Sequence, residues 1–173
     1  MCAVDDRIGY MATRLVEALR EKGFSFATAE SCTGGAVSQA VTSVAGCSDV
    51  MRGGVVAYDN CVKAGVLGVP AAVIAEHGAV SREVAEYMVR GVSRLLDAEC
   101  AVATTGVAGP GGGTPDKPVG TVWIAAKARD EVAVRLLSLE DKGRINNIKQ
   151  TVIEVLGLAE ELLCRTLFSE NKK

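Results

Sequence analysis

Apolar residues recur every three or four positions near the start of the chain, at Ile8, Met11, Ala12, Leu15 and Leu19. That spacing predicts an amphipathic helix that stops near Gly23. A short apolar run, Phe24 to Ala29, then reads as a buried strand. Helical spacing returns from Ala36 to Val44, in a helix expected to start at about Thr33. Gly53 to Tyr58 reads as a second strand that ends at the turn and cap residues Asp59-Asn60. Cys61 to Leu67 suggests a short helix. Pro70 suits the first turn of another, which Gly78 would close. Ser81 caps a stronger helix with Val84, Met88, Val92, Leu95 and Leu96 on one face. Cys100 to Thr105 is a third buried strand.

Residues 106 to 120 break the pattern. They hold six of the nineteen glycines and three of the four prolines, so they form a loop. Val119 to Ala126 and Val132 to Leu139 are β-rich runs around Arg129-Asp130, a hairpin signal. The chain closes on a long helix with Ile145, Ile148, Val152, Val155, Leu156, Ala159, Leu162 and Leu163 inside. Strands separated by helices imply an α/β fold, with a sheet covered on both faces. The hairpin adds an antiparallel strand, so the sheet should be mixed.

The 173 residues fit one domain, 1–173, with enough chain for a core. Hydrophobic residues make up 49% and aromatics only 4%, so Ala, Val, Leu and Ile must build that core. A net charge of −2 argues against broad electrostatic binding of nucleic acid. No apolar run is long enough for a membrane span. The first residues lack a basic region and carry Asp5-Asp6, which points away from a signal peptide and toward the cytoplasm. His77 is the only histidine, and the six cysteines form no Cys-x-x-Cys pair, so neither a zinc site nor a disulfide framework is expected.

The chemistry concentrates in Ala29-Glu30-Ser31-Cys32-Thr33-Gly34-Gly35, where a strand gives way to a helix. Such an elbow exposes the Ser31 hydroxyl and aims free backbone N–H groups at whatever the serine touches. The same residue types also make an ordinary helix cap. Cys32 adjoins Ser31 at a helix start, where thiolates are stabilised. Ligand sites in open α/β sheets lie beyond the carboxyl ends of the strands. Ser31, Tyr58 and Thr104-Thr105-Gly106 all fall there, which favours an active site. A serine nucleophile needs a base. His77 lies at a helix end and suits structure better than catalysis. Lys63, following Tyr58, would serve if its pKa were lowered by burial; from spacing alone a solvated surface lysine is the favoured reading. Tyr58 could relay a proton or orient the lysine. Gly106 to Gly113 lets backbone approach a ligand closely, yet matches neither the Walker A nor the dinucleotide pattern. Lys117 and Arg144 are candidate phosphate contacts.

Five segments together resemble the CinA C-terminal domain family, the nicotinamide-nucleotide amidases. They are the Ala29–Gly35 elbow, Val56-Ala57-Tyr58 with Lys63 after it, His77-Gly78-Ala79-Val80-Ser81, Gly106 to Gly112, and Lys117 to Val122. The resemblance covers nearly the whole chain. It implies a three-layer α/β/α sandwich with a mixed, mostly parallel sheet. It implies hydrolysis of nicotinamide mononucleotide to nicotinate mononucleotide and ammonia, with no metal or other cofactor. Ser31 would be the nucleophile and Lys63 and Tyr58 its activating partners. Glu30, Cys32, Thr33, Gly34, Gly35, Thr105, Gly106, Gly109 and Arg144 would bind substrate. The implied partners are a small nucleotide and a second copy of the chain, most simply in a dimer. The chain resembles the family's stand-alone form. It departs where the family has Gly-Asp-Arg followed by a second arginine: here Lys142-Gly143-Arg144 lacks the acid, and Ile148 takes the second arginine's place. A nucleotide-binding module with lost or altered amidase activity is therefore the alternative.

Overall fold

The computed structural model describes residues 3–170. Helix α1 (Ala3–Lys22) ends at Gly23, whose φ of 64° a side chain would resist. The Gly23 N–H donates to the Arg20 carbonyl and the Phe24 N–H to that of Leu19, a Schellman closure. This closure holds Phe24 outside the strand. Strand β1 is therefore Phe26–Glu30, two residues later than the apolar run suggests. Gly34 and Gly35 follow at φ 62° and 105°, left-handed values that delay α2 to Ala36–Thr42 rather than about Thr33. A single 3-10 turn, Cys47–Asp49, leads into β2 (Met51–Val56).

Three helices follow. Asp59 caps α3 (Asn60–Gly65) by accepting from the Cys61 N–H at 2.7 Å. Pro70 precedes α4 (Ala71–His77), and Gly78 ends it at φ 77°. Ser81 caps α5 (Arg82–Leu95) through the Val84 N–H. Strand β3 (Cys100–Gly106) precedes the glycine-rich loop. The hairpin of β4 (Thr121–Ala128) and β5 (Glu131–Ser138) turns at Arg129-Asp130 as expected, with Arg129 at φ 49°. Helix α6 (Arg144–Glu170) closes the chain. No helix among the described residues is long and apolar enough to cross a membrane.

The sheet order is β2-β1-β3-β4-β5. β2, β1 and β3 are parallel, β4 runs against them, and β5 pairs antiparallel with β4. Only β4 therefore opposes the other four strands. Alternate strand residues feed two cores. Phe26, Cys100, Val102 and Ile124 pack under α1, α2 and α6. Ala27, Ala29, Ala101 and Ala103 pack under α5. The molecule is the α/β/α sandwich expected. Its alanine-lined face lets α5 lie close. Gly91 of α5 has no room for a Cβ, which would collide with the Leu67 carbonyl.

Register places the site. Glu30 pairs with both Val56 and Thr104, so β1, β2 and β3 end side by side. The residues that follow, Ser31, Ala57-Tyr58 and Thr105-Gly106, emerge along one sheet edge.

Candidate active site

Ser31 leaves β1 with its N–H on the Thr104 carbonyl at 2.9 Å. Its own carbonyl accepts from the Gly34 N–H at 3.2 Å, which closes the elbow turn. Among the described residues the Ser31 hydroxyl has no hydrogen-bond partner, and it lines a cleft of about 210 Å³. Cys32, Tyr58, Lys63, Thr105, Gly106 and Arg144 line the same cleft. Tertiary structure thus gathers seven of the expected site residues.

Glu30, expected at the substrate, does not line the cleft. Its carboxylate is buried behind the elbow. One oxygen accepts from the Thr33 hydroxyl at 2.7 Å, the Gly35 N–H at 2.9 Å and the Val37 N–H at 3.0 Å. The other accepts from the Ser38 N–H and hydroxyl, each at 2.8 Å, and from Thr28 at 3.3 Å. The N–H groups at the start of α2 are therefore used internally and are not presented to an anion. The N–H groups of Cys32 and Thr33 meet no carbonyl or carboxylate among the described residues. Thr33, Gly34 and Gly35 likewise shape the turn and stand off the cleft wall.

Cys32 does not behave as a helix-start thiolate. Burial pushes its thiol up to about 12, overriding a hydrogen bond with Thr104. The helix-start effect loses to burial, and the Gly35, Val37 and Ser38 N–H groups at the start of α2 are already taken by Glu30.

Lys63 is 1% exposed, not a surface lysine. Its Nζ donates to the Ala57 carbonyl at 2.9 Å and the Tyr58 carbonyl at 3.1 Å. Burial lowers its pKa below the ordinary 10.5, and Asp59 opposes the shift. Two carbonyls can accept both hydrogens of a neutral amine, which leaves its lone pair free. Tyr58 holds the lysine through its backbone. Its side chain is 61% exposed, and its hydroxyl accepts from Arg144 at 3.2 Å.

Arg144, the first residue of α6, also donates to the Gly109 carbonyl at 2.8 Å. Gly109 thus supports the guanidinium and is not itself on the wall. Asp141, one residue before Lys142, brings a carboxylate to the start of α6. Its oxygen accepts from the Gly143 N–H at 2.9 Å and from the Asn147 amide at 3.1 Å. Ile148 lines a separate apolar groove between α1, α2 and α6, away from the cleft.

Thr105 donates to the Ala79 carbonyl at 2.7 Å and ties β3 to the segment after α4. His77 stands off the cleft, 3.7 Å from Glu76 and 3.9 Å from Glu83. Lys117 is spent on the His77 carbonyl at 2.9 Å. Sequence reasoning missed Asn60, Ala79, Val80 and Ala108 on the wall. Asn60 follows the Asp59 cap, and Ala79-Val80 lie within the His77–Ser81 segment, so adjacency to recognised motifs was the available signal. Among the described residues no three His, Cys, Asp or Glu side chains gather where they could hold a metal ion, and the five described cysteines are free.

The sequence profile of the CinA C-terminal domain matches residues 9–163. A nicotinamide-nucleotide amidohydrolase PncC from Pseudomonas putida is 52% identical over 120 residues, which cover 69% of this chain and 75% of that protein. A CinA-like protein of Salinibacter ruber is 49% identical across 81% of this chain, but that match covers 35% of its own length. The chain thus spans about a third of such CinA-like relatives. Among solved structures, the competence/damage inducible protein CihA from Agrobacterium tumefaciens superposes with a TM-score of 0.86 at 40% identity, covering 88% of this chain and 93% of its own. A CinA superfamily protein from Klebsiella pneumoniae gives 0.87 at 32% identity, covering 91% and 98%.

Proposed function

This chain belongs to the CinA C-terminal domain family, and from that membership we propose that it hydrolyses the carboxamide of nicotinamide mononucleotide to nicotinate mononucleotide and ammonia. The observation that carries this reading is the buried Lys63 on the wall of the same cleft as the unpartnered Ser31 hydroxyl. The name of the Pseudomonas putida relative supplies the substrate class.

In this mechanism neutral Lys63 takes the Ser31 proton as Oγ attacks the carboxamide carbon. The N–H groups of Cys32 and Thr33 receive the charge that develops on the carbonyl oxygen. Protonated Lys63 then passes its proton to the departing nitrogen, and ammonia leaves. Water attacks the resulting ester, with Lys63 again as base, which releases the carboxylate and restores Ser31. Arg144 holds the 5′-phosphate, to which a guanidinium offers a bidentate, charge-assisted contact.

An ammonia-release assay on nicotinamide mononucleotide tests the reading. The wild-type protein should turn over, and Ser31→Ala should lose more than about a thousandfold in kcat. Residual activity within tenfold of wild type would remove Ser31 as nucleophile. Tight binding of the mononucleotide by a wild-type protein that releases no ammonia would identify a binding module instead.

A further inference from the structure

Glu30 is a fully buried carboxylate with no cationic partner among the described residues, an arrangement that survives only when hydrogen bonds replace the lost water. Six donors do so here. A single N-cap side chain accepts from one first-turn N–H; Glu30 takes three, those of Gly35, Val37 and Ser38. The distinguishing feature is the carboxylate's origin. It comes from the residue joined by one peptide bond to Ser31, and it reaches over the elbow to grip residues 33 to 38.

The elbow is held from the other side too. The Thr33 hydroxyl donates to Glu30, since a carboxylate only accepts, and lies 2.7 Å from the Thr104 hydroxyl. The Thr104 carbonyl holds the Ser31 N–H at 2.9 Å. Residues 30, 31 and 33 are thus each fixed, while the Ser31 hydroxyl is left to the cleft. We propose that Glu30 is the positioning residue of this site, setting the direction of the Ser31 hydroxyl through the turn that it clamps. The proposal rests on the serine-nucleophile reading above.

Both carboxylate oxygens face donors only. Glu30→Gln keeps the volume but turns an amide NH2 toward N–H or O–H groups on one side, so the turn must shift. A displacement of about 1 Å at a reacting group costs about a hundredfold in rate. Two readouts test this on the folded protein. One is kcat and KM for nicotinamide mononucleotide. The other is the rate at which a fluorophosphonate labels Ser31, an Oγ–P bond forming as P–F breaks. For Glu30→Gln, kcat and labelling should both fall about a hundredfold, with KM within threefold and the pH limb of kcat/KM unmoved. Thr42→Ala removes hydrogen bonds at the exposed end of the same helix and touches neither Glu30 nor Ser31. It should leave both rates within twofold. A folded Glu30→Gln protein with kcat and labelling within threefold of wild type would overturn the proposal. If Glu30→Gln does not fold, Thr33→Val cuts the bridge between Glu30 and Thr104; a tenfold or greater loss of labelling supports the proposal, and a loss under threefold overturns it. Labelling needs no nucleotide. A wild-type protein that labels at Ser31 but releases no ammonia sinks the amidase reading, while the Glu30→Gln labelling ratio still decides this one.

Discussion

At the scale of single residues, burial decides what Lys63 does. A lysine at its ordinary pKa is neutral in under about a thousandth of molecules at pH 7. Its burial, at 1% exposure, lowers that barrier to acting as a base. The kcat/KM of the wild-type protein should therefore rise with pH along a limb below 10.5. Lys63→Arg keeps the charge but supplies no neutral amine, and should lose about as much as Lys63→Ala; a near-normal rate with an unmoved limb would exclude lysine. The same shift has a stability consequence. A cation whose folded pKa is depressed costs stability below that pKa, and the cost vanishes as pH rises toward the unfolded value. The stability of wild type relative to Lys63→Met, read from urea unfolding, should therefore increase between pH 7 and 10.5. Buried Cys32 and Cys100, both raised to about 12, pull the other way, since their unfolded forms ionise first. They are common to both proteins, so they cancel in the difference. Tyr58 divides its roles between backbone and side chain. Tyr58→Phe keeps the carbonyl under Lys63 and loses the hydroxyl on Arg144. Its KM should rise severalfold while kcat stays within about threefold, the pattern of lost ground-state binding. A large fall in kcat alone would return the hydroxyl to proton transfer.

At the scale of elements, local signals and packing compete, and Gly91 shows which wins. In the middle of α5, glycine costs about 1 kcal/mol relative to alanine by helix propensity alone. Gly91→Ala should nevertheless destabilise the protein, by about 1–3 kcal/mol in urea unfolding, because the new methyl group collides with the Leu67 carbonyl. A gain in stability would show that the α5 contact yields easily. Most elements were legible because their punctuation is local. Ser81 and Asp59 cap where a cap was read, Gly23 and Gly78 stop helices, and Arg129-Asp130 turns the hairpin. The elbow was legible as a site but not in detail. The glycine signal at 34 and 35 was visible, but the delayed start of α2 depends on their left-handed backbone. The role of Glu30 depends on where its carboxylate lands.

At the scale of the whole molecule, the cleft exists because distant segments end together. Arg144 opens the last helix, yet it meets Tyr58, 86 positions earlier, and Gly109 from the glycine-rich loop. If it grips phosphate, Arg144→Ala should lower kcat/KM for the mononucleotide by about 10- to 150-fold, the worth of a hydrogen bond to a charged group. Nicotinamide riboside, which lacks the phosphate, should be a poor substrate that Arg144→Ala makes little worse. Equal losses on both substrates would place Arg144 in structure rather than in phosphate recognition. Sequence by itself determined the alternation of strands and helices, the late hairpin, the mixed sheet and the serine elbow. Each of these follows from residue types a few positions apart, through periodicity, caps and backbone freedom. Tertiary structure alone decided which polar groups are spent and which are free. Glu30 and Lys117 were expected near substrate and are consumed internally, Cys32 is sealed as a thiol, and Lys63 is buried rather than solvated. Those outcomes depend on desolvation and on hydrogen-bond partners brought from elsewhere in the chain, and no local spacing encodes either.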